Sequence, residues 1–319
     1  MNRPMPETLQ GETRLRLPST RRGRVVSRLI DTTAGFFGLP RRHDRGWPRF
    51  EGGPRRPEGI GSRPPIVLVH GFAVDGGTML QLGRRLVSTH RVVIPDLPGF
   101  GRHAPPAGFA PDFSPGIEPF VDAIDDLIDR LELESPVLVG SSMGGAIVAN
   151  HAATRPGRAA GIVLIGPAGL EPPVDSEVFA AAKRDEHLLK VEDAASFDEV
   201  YALNFVRPPF LPQWIRHTIV AEAAPRAVEY ESILRSLESV MLGGPERYRS
   251  ITCPTEIVWG AEDRIIDASG GPVWRDAIAD SRLTIVPEAG HSTMVERPDE
   301  VARCVEDLIE RVIRRSRSH

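Results

Sequence analysis

At 319 residues, with 41% hydrophobic and 26% charged side chains, the chain has a globular composition and room for one α/β domain carrying an insertion, or two domains at most. Two cysteines, Cys253 and Cys304, with no CxxC or Cys/His spacing exclude a disulfide framework and point to a reducing cytoplasm. No apolar run approaches the ~20 residues of a membrane span, and the start, MNRPMPETLQGETRLRLP, lacks the apolar segment of a signal peptide.

The net charge of −4 hides an asymmetry. Residues 1–60 hold 13 arginines against six acids, which leaves the remainder at −11. Residues 1–61 therefore read as a basic, partly disordered arm, rich in Arg, Pro and Gly, with one short amphipathic helix predicted over Val25 to Leu39. Such an arm is suited to peripheral contact with anionic membrane through residues 1–44, whereas a nucleic-acid partner is not expected.

From Pro65 the character changes. IVLVH (66–70) and RVVIPD (91–96) are continuous apolar runs of the kind that strands buried on both faces require, and a helical stretch from Thr78 to Ser88 separates them. An amphipathic helix is predicted over Glu118 to Leu133, then a strand from Pro136, a helix beyond Ser142, and a strand GIVLIGP (161–167). TEIVWG (255–260) and RLTIVPE (282–288) add two strands, with a helix from Glu300 to Arg314 behind them. This alternation predicts a doubly wound, mostly parallel α/β sheet over 62–168 and 251–319. The interval 169–250 has helical pattern and no strand run, too long for a loop, and reads as an inserted helical cap over the sheet edge.

The chain is organised around Pro136 to Ala149, PVLVGSSMGGAIVA, where an apolar strand must turn straight into a helix. The frame Gly140-Ser141-Ser142-Met143-Gly144 is G-x-S-x-G, whose serine occupies a strained turn with its hydroxyl exposed above the sheet. Ser142 is the candidate nucleophile. It needs a base, an acid that orients the base, and amides for an oxyanion. Of nine histidines, His291 follows the last strand at the edge where Ser142 emerges. His90 and His151 read as structural, and His103, His187 and His217 fall in loops or cap. WGAEDRIID offers Asp263 as the acid, with Asp267 next and Glu262 pointing away. The expected oxyanion donors are the backbone amides of Met143 and Phe72, with His70 bonded to the loop backbone. There is no P-loop, HExxH or GxGxxG opening a helix, so no cofactor or metal is expected.

These residues resemble the α/β-hydrolase fold through HGF (70–72), DLPGFG (96–101), GSSMGG (140–145), WGAED (259–263) and GH (290–291). Within it the sequence is similar to the monoacylglycerol lipase and bacterial lipase group through GPAGLEP (166–172), IIDASGG (265–271) and GHSTMVERP (290–298). The resemblance implies a serine hydrolase of carboxylic esters with one acyl chain, and a triad of Ser142, Asp263 and His291. Two alternatives stand beside it: a carbon–carbon bond hydrolase of ring-cleavage diketones, and a non-catalytic ligand receptor on the same fold. The family's first strands are hard to find before Pro65.

Overall fold

The computed structural model describes residues 18, 20–44, 47–54, 63–103, 116–241 and 244–317, the side chains of 236–241 excepted. Most of the arm's first 19 residues lie outside the described residues.

Eight strands form one sheet: β1 (Arg41–Arg42), β2 (Arg49–Gly52), β3 (Ile66–Val69), β4 (Val92–Pro95), β5 (Val137–Ser141), β6 (Gly161–Ile165), β7 (Thr255–Gly260) and β8 (Ser281–Val286). Their order is β1-β2-β4-β3-β5-β6-β7-β8, with β3 to β8 parallel and β1 and β2 antiparallel at one edge. Strands β3 to β6 are buried at every position, the reason their sequences are unbroken apolar runs rather than alternating ones.

Alternate side chains feed two cores. Val67, Val69, Leu138, Ile162, Leu164, Ile257 and Trp259 pack on one face against α3 (Glu118–Arg130), α4 (Met143–Thr154) and α9 (Gly270–Ala277). Ile66, Leu68, Val137, Val139, Val163, Ile165 and Val258 pack on the other against α2 (Leu80–Leu86), α10 (Thr293–Glu296) and α11 (Pro298–Ser316). Between β6 and β7 the described chain carries α5 (Glu177–Ala182), α6 (Ala194–Asn204), α7 (Gln213–Ala223) and α8 (Ala227–Met241) and no strand.

The largest difference from the sequence reading is before Pro65. Residues Arg21–Phe36 form a helix, α1, capped by Thr20, and β1 and β2 extend the sheet. Arg49 and Glu51 are both buried in β2, joined at 2.7 Å, and Arg91 bonds Glu51 at 2.8 Å. A strand whose inward positions are a mutually neutralised ion pair carries no apolar signature.

Arg41 of β1 reaches under the sheet edge to Asp96, at 2.9 Å, and holds Asp31 of α1 at 2.8 Å. Asp96 is fully buried at the end of β4 and also accepts the amides of Gly76 and Arg102. Removing the cation would leave that carboxylate desolvated, so Arg41→Met is expected to lower stability to urea by about 3–5 kcal/mol. The exposed Arg28→Met should stay within about 0.5 kcal/mol of the parent. Equal midpoints for the two variants would show that the Arg41–Asp96 pair contributes nothing to the fold.

Candidate active site

Ser142 follows the last residue of β5 and precedes the first of α4, with φ 55° and ψ −118°. A side chain in this region costs of order 1–3 kcal/mol and persists only where its surroundings hold it. Three backbone bonds do so: Ser142 donates to Ile165 of β6 at 2.9 Å, and its carbonyl accepts from Ala146 and Ala168 at 3.1 Å each. The turn also requires its glycines, because a Cβ at 140 would lie 2.2 Å from the Gly144 carbonyl oxygen, and one at 144 would lie 2.4 Å from that of Val69.

The Ser142 side chain abuts the turn after β3. A Cβ on Gly71 would be 3.3 Å from that of Ser142. His70 secures this turn, Nδ1 donating to the Gly71 carbonyl at 2.8 Å and Nε2 accepting the Leu97 amide at 3.0 Å. Those partners require the neutral ring, and complete burial holds the imidazole pKa below its ordinary value. Phe72 is the next residue, and Met143 supplies the first amide of α4, where the helix dipole is positive.

His291 and Asp263 meet beside Gly166, one strand along from the serine turn. His291 Nδ1 donates to Asp263 Oδ2 at 2.8 Å, and both residues are buried. The other oxygen, Oδ1, accepts the amides of Ile265 and Ile266 at 2.9 Å each, so both oxygens of the carboxylate are held. A Cβ on Gly166 would lie 3.2 Å from Asp263 Oδ2 and 3.6 Å from His291 Nδ1. Gly166 follows Ile165, the residue paired with Ser141, so the pair stands one strand away from the serine turn. Asp267 is elsewhere, accepting the Ser269 amide before α9, and Glu262 bonds the Ala289 amide.

His90, His103, His151, His187 and His217 have other surroundings. His90 bonds Glu306, His151 bonds Asp125 and His103 bonds the Asp96 carbonyl. His187 lines a cavity near the turn, and His217 lines an outer groove.

Glu296 was invisible from sequence. One oxygen accepts the amides of Val206 and Arg207, at 3.0 and 2.9 Å, and the other accepts that of Gly290 at 2.7 Å. A single carboxylate thus clamps the His291 loop to the chain leaving α6. Acceptance of backbone amides leaves no pattern in side-chain types; the sole signal was its place in GHSTMVERP.

Over the turn sits α8. Tyr230 stacks on Phe100 with ring centres 5.5 Å apart and meets Phe72 edge-on at 5.8 Å. Beside this cluster is a mostly apolar cavity of about 50 Å³, walled by Phe72, Leu189, Val191, Ala223, Ala227 and Leu234. A much larger cavity, about 1480 Å³, opens among Pro65, Ser135, Ala160 and Pro254, at the starts of the strands and so at the opposite sheet edge. It has no part in this site. Among the described residues no group of His, Cys, Asp or Glu is arranged to hold a metal ion.

Comparisons with known proteins bear on the family and the fold. A model of the alpha/beta hydrolase family matches residues 66–304. Monoacylglycerol lipase abhd6-B of Xenopus laevis is 28% identical over 261 residues, covering 78% of this chain and 76% of its own. Lipase 1 of Psychrobacter immobilis is 28% identical over 243 residues, covering 75% and 74%. The crystal structure of a membrane phospholipase A, a bacterial virulence factor, superposes with a TM-score of 0.81 at 27% identity, over 90% of this chain and 92% of that one. With the fold, the strained serine turn and these matches together, the chain belongs to the alpha/beta hydrolase family and is similar to its lipases.

Proposed function

We propose that this protein is a serine hydrolase of carboxylic esters bearing one acyl chain, monoacylglycerol among them, acting through an acyl-enzyme. The observation that carries the proposal is the buried 2.8 Å bond between His291 and Asp263, one strand along from a serine held at φ 55°. Asp263 fixes the ring so that Nε2 is the free base, and it stabilises the imidazolium that forms. Ser142 Oγ attacks the ester carbonyl carbon as its proton passes to Nε2. The carbonyl oxygen gathers negative charge, which the amides of Phe72 and Met143 accept. Collapse expels the alcohol with the proton from His291; water then repeats the sequence and frees the acid.

The cavity beside Phe72 supports an alkyl chain as the bound group. Its one lysine, Lys190, bonds Glu192 at 2.9 Å and faces Glu231 at 3.6 Å. A dianionic ring-cleavage product would call for cations directed at its carboxylates, and apart from Lys190, Glu231 and His187 the walls are alanine, leucine, valine and aromatic rings. The names of the lipase relatives point the same way. The basic N-terminal residues, in this reading, make loose peripheral contact with anionic membrane; among the described residues no helix is long and apolar enough to cross one. Salt-sensitive cosedimentation with anionic vesicles tests that contact.

Ser142→Ala and His291→Ala should each abolish detectable ester hydrolysis, since members of one catalytic unit fail together. Asp263→Asn should lower kcat by orders of magnitude, whereas Asp267→Asn should leave it near the parent. The reverse ranking of the two aspartates would reassign the acid. On 4-nitrophenyl esters from C2 to C16, kcat/KM should climb about fourfold per CH₂, from ~0.8 kcal/mol each, then fall once the small cavity is full. Ala227→Leu should move that maximum to shorter chains. Faster turnover of a 2-hydroxy-6-oxo-dienoate than of any ester would replace this reading with carbon–carbon hydrolysis.

A further inference from the structure

Helix α1 turns Gly23 and Ala34 inward. Its outer side carries Val25, Leu29 and Phe36, spaced four and seven residues apart and so on one stripe. Val25 and Leu29 are half exposed and Phe36 is 85% exposed. Arg21, Arg24 and Arg28 run exposed along one flank of that stripe. A water-facing row of this kind is unusual for a helix whose other side is packed, and it has the composition of an interfacial helix.

The row does not stop at α1. An open groove of about 480 Å³, lined by Arg22, Val25, Gln213, Trp214 and His217, joins it to the start of α7. There Trp214 is 43% exposed and Phe210, just before the helix, is 91% exposed. The two elements are bolted together, because the Thr20 amide and hydroxyl each donate to Glu222 of α7 at 2.8 Å. We infer that α1 and the N-terminal end of α7 form one preformed docking face for an anionic lipid surface.

The charges select that occupant. Arg21, Arg22, Arg24 and Arg28 suit phosphate-bearing headgroups. A second copy would set the same arginines against each other. Residues 1–17 offer Arg3, Arg14 and Arg16 against Glu7 and Glu12, so they bring no complementary negative charge. Docking here also has a consequence for the site. Within α7 the stretch from Trp214 leads to Ala223, which walls the cavity beside Phe72; at 1.5 Å per residue that is about 14 Å. A single-chain amphiphile in the lipid would therefore stand one short helix away from the serine turn.

The inference deepens the membrane contact proposed for the basic N-terminal residues, and a natural probe separates the two. Of the four tryptophans, Trp47, Trp259 and Trp274 are buried, so quenching by brominated acyl chains reports Trp214. The full chain should pellet with phosphatidylglycerol/phosphatidylcholine vesicles, not with phosphatidylcholine alone, and brominated lipid should quench its tryptophan emission. Leu29→Glu and Phe210→Ser should each cut vesicle partitioning at least about tenfold, with turnover of 4-nitrophenyl acetate unchanged. Pelleting without quenching, unaffected by Leu29→Glu, would overturn the docking face and leave attachment by residues 1–17 standing. Absence of pelleting would overturn both. Concentration-dependent dimerisation abolished by Leu29→Glu, with no vesicle binding, would assign the face to a second copy and overturn the inference.

Discussion

A serine at φ 55° and ψ −118° does not hold itself there. The conformation exists because β5 and β6 are paired through Ser141 and Ile165, because the Ser142 amide continues that pairing, and because α4 begins at once and takes up the Ser142 carbonyl. A strain of order 1–3 kcal/mol is small beside the burial of four consecutive apolar strands. The sheet centre can therefore impose a backbone geometry that an isolated loop would relax. Everything else in the site is positioned relative to this turn: the β3 turn packs against it, and Gly166 carries the contact to Asp263 and His291.

Behind the turn lies a second requirement, that buried charge be matched. His70 ties the residues after β3 to Leu97 after β4, and Asp96, next to Leu97, collects the Gly76 and Arg102 amides and the Arg41 guanidinium. Arg41 in turn holds Asp31 of α1. Hydrogen bonds to a desolvated carboxylate are strong and costly to lose. The N-terminal segment is thus continuous with the support of the proposed oxyanion turn, although its composition resembles a solvated leader. Some of the arginines that give it a positive surplus, Arg41 and Arg49, are consumed inside the fold; Arg21, Arg22, Arg24 and Arg28 remain at the surface.

This division explains which parts were legible in sequence. IVLV, VLVGS and GIVLI announce themselves because strands buried on both faces must be apolar throughout, and Gly140 and Gly144 because no other residue fits their backbone contacts. WGAEDRIID offered both Asp263 and Asp267, and the structure puts the former on His291 and the latter on a helix start. RFEG was not legible as a strand, since its inward charges cancel in space rather than in sequence. Glu296 and the cavity walls were not legible either. They depend on which loops meet, and 169–250 has no periodicity that reports how its helices lie on the sheet.

Phe72 belongs both to the apolar cavity and to the turn after β3. Its ring walls the apolar cavity and meets Tyr230 of α8, while its amide is a proposed donor to the oxyanion. Tyr230 is stacked in turn on Phe100, which touches the ring of His70 edge-on at 5.6 Å, and His70 holds the backbone of that same turn. In the proposed reaction an alkyl chain entering the cavity would press on the side chain whose main chain donates to the oxyanion. Binding energy from such a chain would then be realised at the reacting centre as well as at the wall, and energy spent in that way raises kcat and not just occupancy. A chain too short to reach Phe72 leaves the turn unsupported by substrate; one too long for about 50 Å³ must displace Tyr230 or Ala227 and shift the turn with them. On the proposed reading, selectivity for acyl length would be inseparable from rate, because one aromatic residue would serve both.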